Sequence, residues 1–283
     1  MAQETVTYLS NIVIVTILAC LITHYWLRQG RSAAMGFWML SAWVMVAADA
    51  FFAARPSLPY WVGRMIPTLL VTVGHAGLFL GARKTASLST RWELVVAAVV
   101  FHGLGLVYYL VLDQPSQWRM VFNGVVWMAF SVGSYLVLRK APKAFWFSLV
   151  APANAFLLHA VFHGFRLVLA TLCVVNGWTQ VQFWLQAVSD FEVSFFMVAL
   201  FVGILVANLQ MRNEELSSAL AEVQTLTGLL PICAWCKKVR DDDGYWQKVE
   251  DYLAARSGLK FTHGICTDCF QEQRPKSMKC ESV

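Results

Sequence analysis

Charge is what this sequence has least of. Of its 283 residues only 14% are Asp, Glu, Lys or Arg, while 58% are hydrophobic and the mean hydropathy is +0.56. Soluble domains carry roughly 25% charged residues, so the composition excludes an ordinary cytosolic globular protein. The apolar excess excludes a disordered chain as well, because that class is defined by low apolar content and high net charge. The few charges are unevenly placed. Met1 to Leu209 is mostly apolar, and Gln210 to Val283 holds a large share of the Lys, Arg, Asp and Glu. Two solvents follow, a bilayer for the first part and water for the second. The net charge of +5 asks for no nucleic acid partner, since a membrane protein concentrates Lys and Arg in its cytoplasmic loops.

About 20 apolar residues span the roughly 30 Å of bilayer hydrocarbon. Seven stretches qualify: Tyr8–Leu27, Ala34–Ala54, Tyr60–Ala82, Trp92–Leu112, Trp118–Leu138, Ala144–Leu172 and Gln182–Leu209. No basic segment precedes the first, and Glu4 stands where Lys or Arg would belong, so it is not read as a cleaved signal peptide. Short connections predict antiparallel neighbours in a bundle. One set of loops carries Arg28 and Arg31, then Arg83, Lys84 and Arg91, then Arg139, Lys140 and Lys143, with Arg212 after the last span. The other carries only Arg55, Arg64 and Arg119. The basic set predicts the cytoplasmic side of a plasma (inner) membrane, with the N-terminus outside and the C-terminus inside. Trp61, Trp92, Trp118, Trp146 and Trp184, near span ends, fit interfacial aromatic belts.

No span has a lysine in its interior, which removes the Schiff base that a retinal protein requires. No internal duplication is visible, as an inverted-repeat transporter would show, and Pro152 near Asn154 is a candidate helix break. Ionisable groups within the spans are present, and such groups are costly and mark functional sites. His75, His102 and His159 fall near mid-depth, while Asp49, Arg64, His163, Arg166, Asp190 and Glu192 fall in the outer half. His159, His163 and Arg166 share one face of the sixth helix. Asp190 and Glu192 diverge by about 200°, so one of them is expected to face that cluster. One reading is a polar pocket open to the outside for a small ligand, a proton or a metal ion, formed by His75, His159, His163, Arg166, Asp190 and Glu192. The other is a set of interhelical pairs that fasten the bundle. Arg64 and His24, close to the two surfaces, read as snorkelling groups. A haem held by histidines of different helices is a further alternative, although the regular paired spacing is missing.

Beyond Leu209, Asn213, Leu216, Leu220, Val223, Thr227 and Leu230 alternate at intervals of three and four. This is an a/d seam with Asn213 at a core position, and it predicts a parallel homodimer through a helical linker over 210–229. Cys233-Ala234-Trp235-Cys236 and Cys266-Thr267-Asp268-Cys269 then form two C-x-x-C pairs separated by 29 residues. Two converging knuckles supply four thiolates in a tetrahedral array, the ligand set of structural zinc. A reducing compartment favours metal or redox work over disulfides, and a domain of about 50 residues has little core of its own. Lys237 and Phe270 follow the second cysteines where c-type haem needs His. Redox-labile zinc, with Lys237, Lys238 and Arg240 lowering the thiol pKa values, and a single iron remain open. The iron case lacks the glycine usual after each pair. His263 reads as a surface or supporting residue, and Cys20, Cys173 and Cys280 as ordinary ones. Asp241-Asp242-Asp243-Gly244 reads as a turn, and it lacks the twelve-residue pattern and closing Glu of a calcium loop. Tyr245 to Leu253 has apolar positions at helical spacing, and Ser257-Gly258 stops that helix.

The stretch Leu230-Pro231-Ile232-Cys233-Ala234-Trp235-Cys236-Lys237-Lys238-Val239-Arg240-Asp241-Asp242-Asp243-Gly244-Tyr245-Trp246, with His263-Gly264-Ile265-Cys266-Thr267-Asp268-Cys269, resembles a small cysteine-paired module. That module ends many bacterial signalling proteins, typically after PAS-type sensor domains or a coiled-coil linker. The membrane part resembles, in topology and composition, the seven-helix input domains in front of bacterial cyclases and kinases. The resemblance implies a signalling context and metal binding. The expected fold is therefore an all-α membrane bundle of seven helices over 1–209, a coiled-coil-like linker over 210–229 and a small zinc-knuckle-type cytoplasmic module over 230–283. No catalytic domain fits the remaining length, so a non-enzymatic sensor acting through a cytoplasmic signalling partner is expected. The alternative is a membrane electron carrier with haem on the helix histidines and iron on the four thiolates.

Overall fold

The computed structural model describes residues 2–28, 31–112, 116–141, 143–227, 231–241, 243–258 and 260–273. Leu230, Asp242 and Cys280 lie outside these, as do the side chains of Trp146, Val223 and Thr227. Seven long helices account for the apolar part: α1 Ala2–Arg28, α2 Ala33–Ala53, α3 Val62–Thr85, α4 Trp92–Val111, α5 Ser116–Leu138, α6 Lys143–Asn176 and α7 Thr179–Thr227. Each contains a segment long and apolar enough to cross a membrane. The chain is a multi-pass membrane protein. Helices arise here because lipid offers no partner for a backbone amide, so each segment must satisfy its own.

Side chains sort in the sense opposite to that of a soluble bundle. Leu9, Val13, Ile17 and Leu21 form an exposed apolar stripe along α1, whereas Asn11, Thr72, His102, Asn123, His159 and Arg166 are buried. Trp61, Trp92, Trp118 and Trp184 are exposed near helix ends, as interfacial anchors should be. Helix ends follow local chemistry. The Ser32 hydroxyl accepts from Met35 N at 3.3 Å and caps α2. Gly177, at φ 68°, ends α6, with Trp178 N donating to Cys173 O at 3.1 Å. Pro67 and Pro152 stay inside α3 and α6, so Pro152 does not divide its helix.

The helix α3 is central, packing on α2, α4 and α5, while α2 also packs on α1 and α5 on α6. Three glycines on α3 allow the close approach of α2. Gly74 faces Met45, Gly77 faces Ser41 and Gly81 faces Trp38. Small residues at such spacing serve membrane helices because dispersion at short range, not expulsion from water, is what holds them together. The main core joins Val15, Ile22, Trp38, Leu78 and Phe156 with Met197, Leu200 and Phe201 of α7.

Two compact units divide the chain, Met1–Glu214 and Glu215–Val283. The boundary falls within α7, which runs without interruption from the membrane segment to Thr227, so the expected break in composition after Leu209 is not a break in the helix. Along the extension Leu209, Leu216 and Leu220 are exposed. The second unit also contains a two-stranded antiparallel hairpin, β1 Val239–Arg240 and β2 Trp246–Gln247, with Val239 opposite Gln247, followed by α8 Val249–Ser257 and α9 Thr267–Gln273. The helix expected from Tyr245 begins four residues later because Trp246 and Gln247 pair as a strand instead. The hairpin turn is held by Asp241. Its Oδ1 accepts from Tyr245 N at 2.7 Å, and Gly244 takes φ 89°. The aspartates thus build a turn. Gly258 closes α8 in the left-handed conformation. Among the described residues beyond 230 only Val239 and Tyr252 are buried apolar side chains.

Candidate functional site

A cavity of about 440 Å³ lies among α1, α2, α3, α5, α6 and α7. Its lining residues come from the start of the odd-numbered helices and the end of the even-numbered ones, so it belongs to the end of the bundle that carries the N-terminus. Asp49, Arg55, Arg64, His75, Arg119, Asn123, His159, His163, Arg166, Gln186 and Asp190 all contribute. Five of the six membrane residues singled out in the sequence line this space. The sixth, Glu192, reaches the same group from α7 by bonding His159.

The histidines form a relay. His75 Nδ1 lies 2.9 Å from the carbonyl oxygen of Val71, His75 Nε2 lies 3.2 Å from His159 Nε2, and His159 Nδ1 lies 2.9 and 3.1 Å from the two carboxylate oxygens of Glu192. Stacking fixes the rings: Phe196 lies parallel to His159 at 3.8 Å between centroids, and Trp127 parallel to His75 at 5.9 Å. The His163 ring meets that of His159 edge-on at 4.5 Å. Neither nitrogen of His163 has a hydrogen-bond partner, although the residue is 2% exposed.

A second chain of bonds holds the charges. Arg166 Nη2 donates to Gln186 Oε1 at 3.1 Å, and Gln186 Nε2 donates to Asp190 Oδ1 at 2.9 Å. The expectation that one of Asp190 and Glu192 faces the cluster is therefore revised. Both engage it, Glu192 directly and Asp190 through Gln186, because a glutamine one turn earlier on α7 bridges the angular gap. Arg64 stacks over Tyr60 at 3.7 Å, which suits its position near the helix end.

His102 is occupied. Its Nε2 donates to Asn123 Oδ1 at 2.9 Å, and its Nδ1 lies 2.6 Å from the Thr72 hydroxyl, which also accepts from Trp127 Nε1 at 3.0 Å. Both ring nitrogens have a neighbour at hydrogen-bond distance, and the single Thr72 proton is shared between His102 Nδ1 and Thr68 O. His75 and His159, bonded to each other at 3.2 Å, do not clasp a porphyrin plane between them in this arrangement. The residues that sequence reasoning passed over are Thr72, Asn123, Trp127 and Gln186. The signal for three of them was uncharged polarity inside an apolar span.

In the second unit each cysteine pair carries one backbone N–H to sulfur contact. Cys236 N donates to Cys233 Sγ and Cys269 N to Cys266 Sγ, both at 3.5 Å. The backbone N–H of Cys236 holds the Cys233 thiol below its ordinary pKa, and that of Cys269 does the same for Cys266. Lys237, after the first pair, adopts φ 62°, the left-handed conformation for which glycine is usual, and its Nζ donates back to Ala234 O at 3.0 Å. The four cysteines are free thiols. Among the described residues, the group of three possible metal donors within 4.8 Å of one another is His159, His163 and Glu192, and the thiols are not so gathered. Cys20 is exposed and Cys173 buried, both without a role here.

Fold and site together define a seven-helix membrane protein with a charged, histidine-rich cavity and a separate paired-cysteine segment. No family model, no curated protein and no solved structure matches the chain.

Proposed function

We propose that this chain is a membrane sensor that receives a small polar ligand in the cavity and passes the change along α7 to a zinc-binding C-terminal module. The observation that carries the reading is that α7 supplies Gln186, Asp190 and Glu192 to the site and continues as one helix to Thr227. A rigid helix transmits a rotation or displacement at one end to the other, which is the repertoire of small shifts that interfaces amplify. The Lys and Arg distribution supports placing the cavity mouth outside a plasma membrane of bacterial type, with the module in the cytoplasm. The exposed Leu216 and Leu220 support a parallel homodimer through the linker. Exposed Ile232, Trp235 and Phe270 on the module support output through a protein partner, since apolar surface of this kind marks interaction sites.

Cysteine cross-linking in native membranes tests the coupling. Leu216→Cys and Leu220→Cys are each expected to give disulfide-linked dimers on mild oxidation. Adding Arg166→Gln, which releases the Gln186–Asp190 chain, is expected to change the cross-linking rate severalfold. Equal rates with and without Arg166→Gln at both positions 216 and 220 would leave α7 uncoupled from the cavity and remove the sensor reading. Absence of any cross-linked product would remove the dimer.

A further inference from the structure

Hydrogen-bond accounting along the histidine relay leaves one cation missing. The relay has three links, Val71 O to His75, His75 to His159, and His159 to Glu192. A carbonyl and a carboxylate stand at its two ends, and both only accept. Three links need three donors, but two neutral imidazoles carry one N–H each. If His75 Nδ1 donates to Val71 and His159 Nε2 donates to His75, then His159 Nδ1 presents a bare lone pair to the two oxygens of Glu192. A proton or another cation is required at that point: a protonated His159 or Glu192 supplies it, and so does a metal ion. Beside it stands His163, 2% exposed, with both ring nitrogens unpartnered. An orphaned buried imidazole calls for an explanation, and a third donor at the same point provides one.

We propose that His159, through Nδ1, together with His163 and Glu192, binds a divalent transition-metal ion of the zinc class at the mid-depth end of the membrane cavity. Two imidazoles and one carboxylate are a borderline-soft donor set that suits zinc and its neighbours better than calcium or magnesium. The three donor atoms lie within 4.8 Å of one another, and zinc with bonds of about 2.1 Å holds its donors about 3.4 Å apart. Glu192 and His159 stand 2.9 to 3.1 Å apart and would open by a few tenths of an ångström, while the distances to His163, all within 4.8 Å, would shorten by at most about 1.4 Å. The metal completes the accounting: His159 Nε2–H donates to His75, and His75 Nδ1–H donates to Val71. His75 is thereby a positioning residue that sets the tautomer of a ligand, as outer partners of metal-bound histidines do. Three protein ligands leave a coordination position open, and the cavity adjoins it, which is the arrangement of a reactive or ligand-exchanging site rather than a closed structural one. The inference stands without the sensor reading, because metal uptake requires neither the linker nor a partner.

Cobalt titration of the full-length chain in detergent after chelation is the test. A cobalt ion on nitrogen and oxygen gives only weak visible d–d bands, whereas one on cysteine adds intense thiolate charge transfer in the near ultraviolet, so the two parts of the chain are read separately. One equivalent without thiolate absorption is expected. His163→Leu and Glu192→Gln are each expected to weaken that equivalent at least about 100-fold, and His75→Gln about 10- to 100-fold with the stoichiometry kept, by the usual scale of ligand and outer-partner losses. The thermal midpoint of each variant checks folding, and zinc X-ray absorption of the unaltered chain reads the nitrogen and oxygen shell without any substitution. No thiolate-free equivalent in the unaltered chain, or an affinity unmoved by Glu192→Gln in a folded variant, overturns the proposal. An affinity unmoved by His75→Gln overturns the assignment of Nδ1.

Discussion

Replacing Cys233 and Cys266 together by serine is expected to abolish thiolate-bound zinc and unfold the segment from 231 to 273. The energetic reason is the poverty of that segment's core. Val239 and Tyr252 are its buried apolar side chains among the described residues, and its sheet is a hairpin with two residues in each strand. A two-stranded hairpin is marginal alone in water, and fully burying such a side chain contributes only about 1.5–3 kcal/mol. Structural zinc contributes roughly 10–16 kcal/mol in comparable small modules, so a zinc ion bound there, as proposed, would outweigh everything else holding the segment. Within each pair the local geometry suits a thiolate, although the four sulfurs are not gathered around one point. The amide donors of Cys236 and Cys269 already face the sulfurs of Cys233 and Cys266 and favour their thiolate forms. The measurement is metal content by mass spectrometry, with the sulfur shell in X-ray absorption and the rate of limited proteolysis beside it. Loss of one sulfur-bound equivalent and rapid cleavage within 231–273 are expected. Full zinc content in the double variant would end the zinc reading of the cysteine pairs.

The second large effect lies at the crossing of α2 and α3. Trp38 is fully buried, donates from Nε1 to Thr85 Oγ1 at 3.2 Å, and packs its ring 6.2 Å from that of Phe156. A Cβ at Gly81 would stand 2.9 Å from two atoms of the indole ring. The indole is rigid and surrounded, so the backbones must separate. Gly81→Val is therefore expected to destabilise the bundle by about 3 kcal/mol, the upper part of the range for overpacking. Trp38→Ala opens a cavity at the same point and leaves the Thr85 hydroxyl without its donor. Comparable cavities cost about 3–5 kcal/mol in soluble cores. The lower end applies here, because lipid is as apolar as the core and only the packing is lost. Thermal unfolding in detergent should show both variants well below the parent. Trp38→Phe added to Gly81→Ala should recover part of the loss, as contacting residues couple. Unchanged midpoints would mean that α2 and α3 do not approach at Gly81.

Legibility in the sequence differed sharply between the fold and the site. The seven spans are readable because the bilayer imposes one rule, about 20 apolar residues with self-satisfied amides, on every segment alike. Their ends differ from the structure by only a few residues, except that α1 starts six residues before the expected Tyr8, at Ala2, and that the last span and the expected helical linker over 210–229 are one helix, α7. There a bilayer argument stops at Leu209 because hydropathy falls, while the backbone, which needs only good helix formers to continue, runs on to Thr227. The short strand at Trp246 was hidden for the converse reason, since two paired residues leave no period to detect.

By itself the sequence determined how many times the chain crosses a membrane, which residues are too polar for lipid, and where two cysteine pairs stand. Each follows from one residue and its near neighbours. Only the tertiary structure decided which polar residues meet. It gave His102 to Thr72 and Asn123, bridged Asp190 to Arg166 through Gln186, and left His163 without a partner beside His159 and Glu192. The physical reason is that a hydrogen bond depends on a few tenths of an ångström between helices far apart in sequence. The helical repeat tells which residues share a face of one helix, but not the rotation and depth at which another helix meets it.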